Sequence, residues 1–472
     1  MGTPFDFQCV TFDYCSFYIG FGMKKIVLSL VLGLACMVLG MAQQARVLTL
    51  REQAVVQDRW LKERCQSLLP ELMRKEGIDM WLVIAREYNE DPVLRTMLPA
   101  TWLSARRTTM LLIYDQGKDM PLEFLACARY DVGEVFKKAW DPDKEPDQWK
   151  RLAQLVAERN PQRIGINLST NFGHADGLSA FHHQKLRESL DNKYEKRLVS
   201  AERLAVNWLE VRTPAELTVY EQICRIAHDI IAEGLSEVVI QPGITTTDDV
   251  VWFYREKVRS LGLESWFHPT CDVQRADPSG NEQNRSFAQR PDAAIIQPGD
   301  LVHIDFGIKY LGLNTDTQQN AYVLKPGESA PPAYLLQAYQ KGLRLMDILT
   351  NEYKTGRTGN EILAATISKA KAEGLNPQIY SHPIGYHGHG AGPAIGMWDM
   401  QGGVPGTGDY PVLPNTTYAI ELNNKVFLPE WNKEVRIMLE QNAVFDGEKI
   451  HYADNRQKIL YLIPRPKPNG GQ

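Results

Sequence analysis

Gly299-Asp-Leu-Val-His-Ile-Asp-Phe-Gly-Ile-Lys-Tyr-Leu-Gly-Leu-Asn-Thr-Asp316 is the stretch on which the reading of this 472-residue chain turns. Leu301 to Phe306 has the apolar run of a buried strand, Gly307 and Gly312 bracket a turn, and a second strand is expected from Leu313 to about Leu324. Each strand carries one aspartate, Asp305 and Asp316, eleven positions apart. A short connection makes the strands antiparallel neighbours, so both carboxylates can face one pocket. A carboxylate in an apolar strand is costly unless it is paired or bound to a cation. The alternative, one aspartate capping the turn and the other at a solvated strand end, is open at this point.

Downstream residues weigh on that choice. Ser381-His-Pro-Ile-Gly-Tyr-His-Gly-His-Gly-Ala-Gly-Pro393 places His382, His387 and His389 in a glycine-rich loop. Tyr418-Ala-Ile-Glu421-Leu and Arg436-Ile-Met-Leu-Glu440-Gln-Asn-Ala-Val-Phe445 each set a glutamate inside an apolar run. Four ionised carboxylates in one pocket repel one another unless cations lie between them. Two divalent ions resolve the conflict, and mixed carboxylate and imidazole donors suit Mn, Zn, Co or Fe. An HxHxD metallohydrolase is excluded because Ala391 stands at the acid position, and no GxSxG elbow for a serine hydrolase occurs.

The order Asp305, Asp316, histidine, Glu421, Glu440, with the GDLVHIDFG start, the HPIG loop and the EQNAV end, resembles the M24 metallopeptidases. These include Xaa-Pro aminopeptidase, Xaa-Pro dipeptidase and methionine aminopeptidase. The resemblance covers about residues 210–462 and implies an α+β pita-bread catalytic domain. The preceding segment, about 45–205, alternates strands and helices and looks like the α/β creatinase-type N-terminal domain, which favours the proline-specific branch. Arg212-Thr-Pro-Ala-Glu-Leu marks the boundary, with Thr213 as helix cap and Glu216 three residues on.

Position by position, the resemblance implies Asp305, Asp316, His382, Glu421 and Glu440 as metal ligands, with Asp316 and Glu440 bridging two ions, manganese foremost. His382 has Gly385 at plus three and His389 at plus seven, so His389 becomes the substrate-side histidine that steadies the oxyanion. The rival register makes His389 the ligand. Glu421 is the expected proton shuttle, and His303, on the face of Asp305, a supporting partner. The implied reaction is hydrolysis of peptides with proline at the second position, by a homodimer. Alternatives are a creatinase-like hydrolase working without metals and a catalytically silent module that binds peptides. The chain also departs from the family's pattern. Gly390 follows the second histidine where an acid is frequent, Glu421-Leu-Asn423 replaces Glu-Pro-Gly, and Met438 stands for an arginine now at Arg436. The upstream substrate histidine has no match: Asn284 or Arg285 lies near that point, and His268 comes too early.

A net charge of -5 and a sequence pI near 6.1 give no nucleic-acid footprint. Met23-Lys-Lys, an apolar run from Ile26 to Leu39 that is too short to span a bilayer comfortably, and then Gly40-Met-Ala42 form a secretory signal pattern over 23–42. Residues 1–22 fit no targeting rule and read as an extension upstream of the native start. The mature chain is therefore expected to begin near Gln43, exported to the periplasm and free of the membrane after cleavage. Cys65, Cys127, Cys224 and Cys271 are widely spaced and read as isolated buried thiols. His174, His182 and His183 read as surface or capping residues, and 463–472 as a loose tail.

Overall fold

The computed structural model describes residues 47–276 and 293–466. The signal pattern, the upstream extension, Asn284, Arg285 and the tail from 467 lie outside the described residues. Within them, the run Met80–Arg86 is apolar at nearly every position because both of its faces are covered. Trp81, Val83 and Ala85 pack into a core shared with residues of the helices Leu69–Glu76 and Glu202–Glu210. Met80, Leu82 and Ile84 face a second core with the helices Gln148–Arg159 and Ala180–Ser189. The strand is central in a mixed six-stranded sheet, antiparallel to Thr108–Tyr114 and parallel to Ile164–Ile166. His182 departs from the surface role expected of it: it is buried beneath Trp149 and Phe181.

A second, nine-stranded sheet is built around the hairpin Thr416–Leu428 and Lys433–Phe445. Here the period-two alternation is clean. Tyr418, Ile420 and Leu422 with Ile437 and Leu439 pack against the helices Ala333–Thr350 and Gly359–Ala372. Glu421 and Glu440 therefore point to the opposite face. Leu301–Phe306 lies further across the sheet, beside Thr317–Val323, and its Phe306 stacks on Tyr254 of the helix Thr247–Ser260. The second strand expected from Leu313 to Leu324 is broken. Leu313–Asn314 pairs with Lys309–Tyr310 in a separate ribbon, and only Thr317–Val323 joins the sheet. Asp316 sits in the break. The tail expected to be loose from 463 is held at Ile463, paired with Val323, and at Arg465, bonded to Glu237. All four thiols are free and buried.

Thr213 caps the helix Pro214–Gly234 in a capping box with Glu216, as the sequence reads. Glu216 also does something the motif does not announce. It is fully buried, accepts from Arg64 (2.8 Å) of the N-terminal half, and lies 3.5 Å from Arg212. Burial opposes its charge, but the two guanidinium groups outweigh burial and hold its carboxyl below the usual range. Removing one member leaves buried charge uncompensated, so Glu216→Gln should lower unfolding free energy by about 3–5 kcal/mol, read from urea denaturation.

Candidate metal centre

The sheet register explains why acids far apart in sequence meet. Glu421 lies opposite Glu440, Glu440 opposite Gln318, and Gln318 opposite Asp305. Directly opposed residues share a face, so three carboxylates and one amide form a row across four strands. Asp316 joins from the break before Thr317. Its backbone N–H donates to Asn442 Oδ1 (3.1 Å), while Asn442 Nδ2 donates to Asp316 O (2.7 Å) and Thr317 Oγ1 (2.8 Å). Tyr220 supplies the remaining bond, its hydroxyl donating to Asn442 Oδ1 at 2.9 Å. Gly307 permits the close approach beneath, since a Cβ there would lie 2.2 Å from Thr315 O. That carbonyl also accepts from Trp266 Nε1 at 2.8 Å.

His382 enters from the glycine-rich loop. Its Nδ1 lies 3.0 Å from Pro383 O. A carbonyl can only accept, so Nδ1 carries the proton and Nε2 presents a bare lone pair. That lone pair faces Asp316 Oδ2 at 3.8 Å and Glu440 Oε1 at 3.7 Å. Three donor groups converge with every donor atom within 4.8 Å: Asp305, Asp316 and Glu440; His382, Glu421 and Glu440; and Asp316, His382 and His389. His382 is buried and belongs to two of the three groups, whereas the exposed His389 belongs to one.

Behind the row, Gln318 Nε2 donates to Glu421 Oε1 (2.8 Å) and Glu440 Oε2 (3.1 Å). Its Oε1 then accepts from His303 Nε2 at 3.0 Å, and His303 Nδ1 lies 3.0 Å from Asp272 Oδ2. With both ring nitrogens donating, His303 is an imidazolium. Burial opposes that charge, but Asp272 outweighs burial, with help from Asp305 and Gln318, and raises the pKa. His303 thus supports the acids through an amide.

The set carries the signature of a missing positive charge. Asp305 Oδ1, Asp316 Oδ1, Glu440 Oε1 and His382 Nε2 are buried without a hydrogen-bond partner. Burial pushes Asp305 up to about 6 despite His303. Burial and mutual repulsion push Asp316 and Glu440 well above the carboxylate range, and burial with Asp305 does the same to Glu421. Burial, then His389, lowers His382 to about 3. Acceptor oxygens and a neutral imidazole converging in this way fit divalent cations.

The sequence did not mark Gln318, Asn442 or Trp266. Gln318 lies in the polar run Thr317-Gln-Gln-Asn320, where one amide is not distinguished from the next. His174 was read as a surface or capping residue. It is half-buried against the glycine-rich loop, its ring 4.4 Å from that of His387.

Residues 222–444 match the model of metallopeptidase family M24. A stretch of 189 residues is 27% identical to YqhT, an uncharacterized peptidase of Bacillus subtilis, covering 40% of this chain and 47%, about half, of that relative. Two solved structures superpose over most of their length. The X-Pro aminopeptidase of Thermotoga maritima has a TM-score of 0.58 at 16% identity, covering 83% of this chain and 99% of that one. The Xaa-Pro dipeptidase of Bacillus anthracis has a TM-score of 0.54 at 18% identity, covering 87% and 99%. At such identities the likeness is one of fold, the mixed α+β pita-bread arrangement.

The raised carboxyl pKa values have a thermodynamic consequence for the metal-free protein. The folded state holds these protons more tightly than the unfolded chain does. The stability they contribute is therefore full below the ordinary carboxylate range, and is lost as pH rises through about 6 for Asp305 and through the raised values of the other three. Chelator-treated protein should melt at a lower temperature at about pH 8 than at about pH 5, with a smaller difference in Asp316→Asn. Together, the matched segment and the shared fold make this chain, through residues 222–444, similar to metallopeptidase family M24.

Proposed function

We propose that the chain is a dinuclear metal-dependent exopeptidase that hydrolyses the peptide bond before a proline at the second position. The observation that carries this reading is the row of Glu421, Glu440 and Asp305 on one sheet face, joined by Asp316 and His382, with four buried donor atoms lacking partners. Asp305, Asp316, His382, Glu421 and Glu440 would hold two divalent ions, manganese the first candidate. Such ions, when bound, supply the Lewis acidity that lowers the pKa of water and polarises a carbonyl.

The chain's own residues do the rest. Glu421, oriented by Gln318 (2.8 Å), takes the proton of the attacking water and delivers it to the leaving proline nitrogen. His389, exposed at the edge of the donor set and edge-on to the His382 ring at 4.8 Å, offers an N–H to the oxyanion of the tetrahedral intermediate. The acids also attract the substrate's free amine, which restricts attack to the N-terminal bond. Support for proline specificity comes from the two superposed structures, an X-Pro aminopeptidase and an Xaa-Pro dipeptidase. We place the protein outside the cytoplasm as a homodimer. N-terminal sequencing near Gln43 and light scattering read those two features directly.

Chelation should abolish turnover of Xaa-Pro peptides, and added Mn should restore it. Glu421→Gln should reduce kcat by about 10²-fold or more, and Asp316→Asn should fail to retain metal by elemental analysis. Full-rate cleavage by stripped protein would overturn the proposal. It would favour a creatinase-like reaction without metals, while binding without turnover in the presence of Mn would favour a silent module.

A further inference from the structure

The antiparallel strands Met80–Arg86 and Thr108–Tyr114 of the N-terminal sheet are joined by residues 87–107, and part of that connection stands out at the end of the sheet. Tyr88 and Leu103 are 88% and 89% exposed, the highest values of any large hydrophobic residue among those described. Their two segments are tied together. Glu90 Oε1 accepts from Tyr88 N (3.2 Å) and from Ala105 N (3.0 Å), and Glu87 N donates to Arg107 O at 2.7 Å. Tyr88 adopts φ 67° and Arg107 φ 50°, the left-handed region that residues with a Cβ seldom occupy. Beside them Trp102 meets Tyr130 edge-on at 5.7 Å, and the Arg106 guanidinium lies over both rings, at 4.3 and 5.5 Å. Tyr130 arrives from the loop after Glu123–Ala126, the neighbouring strand, so both connections emerge at one end of the sheet. Exposed apolar side chains on a fixed backbone of uncommon conformation make a surface built to be covered.

The charge around this tip indicates what covers it. Arg86, Arg106 and Arg107 are exposed and form no ion pair among the described residues. The acids at this end are engaged: Glu90 with the two backbone N–H groups, Asp131 with Lys138 N (2.7 Å) and Lys137 (3.4 Å), and Glu134 with Lys62 (3.3 Å). Within the connection itself, Glu87 alone is an acid whose side chain has no partner among the described residues. The tip is thus basic in a chain whose net charge is -5. A second copy of the chain is disfavoured as its cover, because a twofold axis through the tip would set these arginines against their own counterparts. A peptide ligand is disfavoured by shape, since side chains this exposed stand out from the surface and line no cleft.

We propose that this tip docks the protein on an anionic lipid surface. Tyrosine and tryptophan rings favour the interfacial layer of a bilayer, a protruding leucine enters its acyl boundary, and arginines pair with lipid phosphates. The contact is peripheral and reversible, and among the described residues no helix is long and apolar enough to cross a membrane. It revises the expectation of an exported chain free of the membrane. It does not depend on the peptidase reading, because none of these residues belongs to the donor groups of the metal centre.

The test is co-sedimentation with vesicles of phosphatidylcholine, alone or mixed with phosphatidylglycerol. The protein used begins at Gln43, so that the apolar run Ile26–Leu39 cannot itself bind lipid. Binding should require phosphatidylglycerol and should weaken about tenfold or more between about 0.1 M and about 1 M salt, as screening shortens the reach of the arginines. Arg106→Gln and Arg107→Gln should each weaken it about fivefold, the factor carried by one basic residue at a charged bilayer. Tyr88→Asn, which suits the left-handed backbone, combined with Leu103→Ser should weaken it about tenfold or more. All of these variants should keep the wild-type melting temperature, since each position is exposed. Absence of binding to the mixed vesicles would overturn the proposal, as would equal binding to both kinds or binding that none of the variants changes. Variants that become monomers in light scattering while their vesicle binding is unchanged would assign the tip to an interface between copies, and would overturn it as well.

Discussion

Asp305, Asp316, Glu421 and Glu440 are held within reach of one another on a face from which water is largely excluded, and their repulsion is the constraint to which the rest of the structure answers. An ionised carboxylate buried without a partner costs several kcal/mol, comparable to a sizeable part of the 5–15 kcal/mol by which a whole domain is stable. The protein offsets part of this internally. Gln318 gives both amide hydrogens to Glu421 and Glu440, and the His303 imidazolium backs that amide with Asp272 behind it. This relay stabilises the acids from below and leaves Asp305 Oδ1, Asp316 Oδ1 and Glu440 Oε1 free on the side where His382 Nε2 points. The arrangement gathers more negative charge than its own residues offset, and its donors fit a divalent cation.

Such a row can be held only by a rigid support. The two strands of the central hairpin run 13 residues each, Thr416–Leu428 and Lys433–Phe445, well beyond the usual five or six. Their outer face is continuous apolar packing on two helices, through Tyr418, Ile420, Leu422, Ile437 and Leu439. Each such side chain contributes roughly 1.5–3 kcal/mol on burial, so the face opposite the acids stabilises what the acid face destabilises. Because the side-chain period is two, a one-residue slip would bring Ile420 and Leu439 into the row and bury both glutamates among the helices. Register and chemistry are therefore specified together.

This also explains how much could be read from the chain alone. Acids inside apolar runs are conspicuous, so Asp305, Glu421 and Glu440 stood out, as did His382 among glycines. The apolar alternation likewise announced the strands and helices that carry them. What escaped was set by partners distant in sequence. The break at Thr315 and Asp316 depends on Asn442, 126 residues away, which forms hydrogen bonds on both sides of the Asp316 peptide. No local pattern separates that asparagine from any other in a strand. Trp266 is fixed by a carbonyl 49 residues on and by the flat surface of Gly388, where a Cβ would come within 2.3 Å of its ring. His174 belongs to a different sheet domain from the loop it touches, and periodicity is silent on contacts of that kind.

The same long-range logic connects the two halves. Tyr386, beside His387, donates to Glu216 Oε1 at 3.0 Å, and its ring lies under the guanidinium groups of Arg64 (5.1 Å) and Arg212 (4.5 Å). A buried ion cluster of this sort is weak evidence for stability as such, since well-packed apolar residues often do as well. Its value here is directional. An apolar contact would tolerate sliding, whereas a carboxylate fixed by two arginines, a helix cap and a phenol admits one arrangement. Arg64 comes from the N-terminal half, Arg212 and Glu216 from the start of the helix Pro214–Gly234 and the residues before it, and Tyr386 from the loop. The position of His387 and His389 is thereby referred to all three. The N-terminal half is then part of the frame that aims the loop, and the cost of burying its charges is offset where the histidines need to be held.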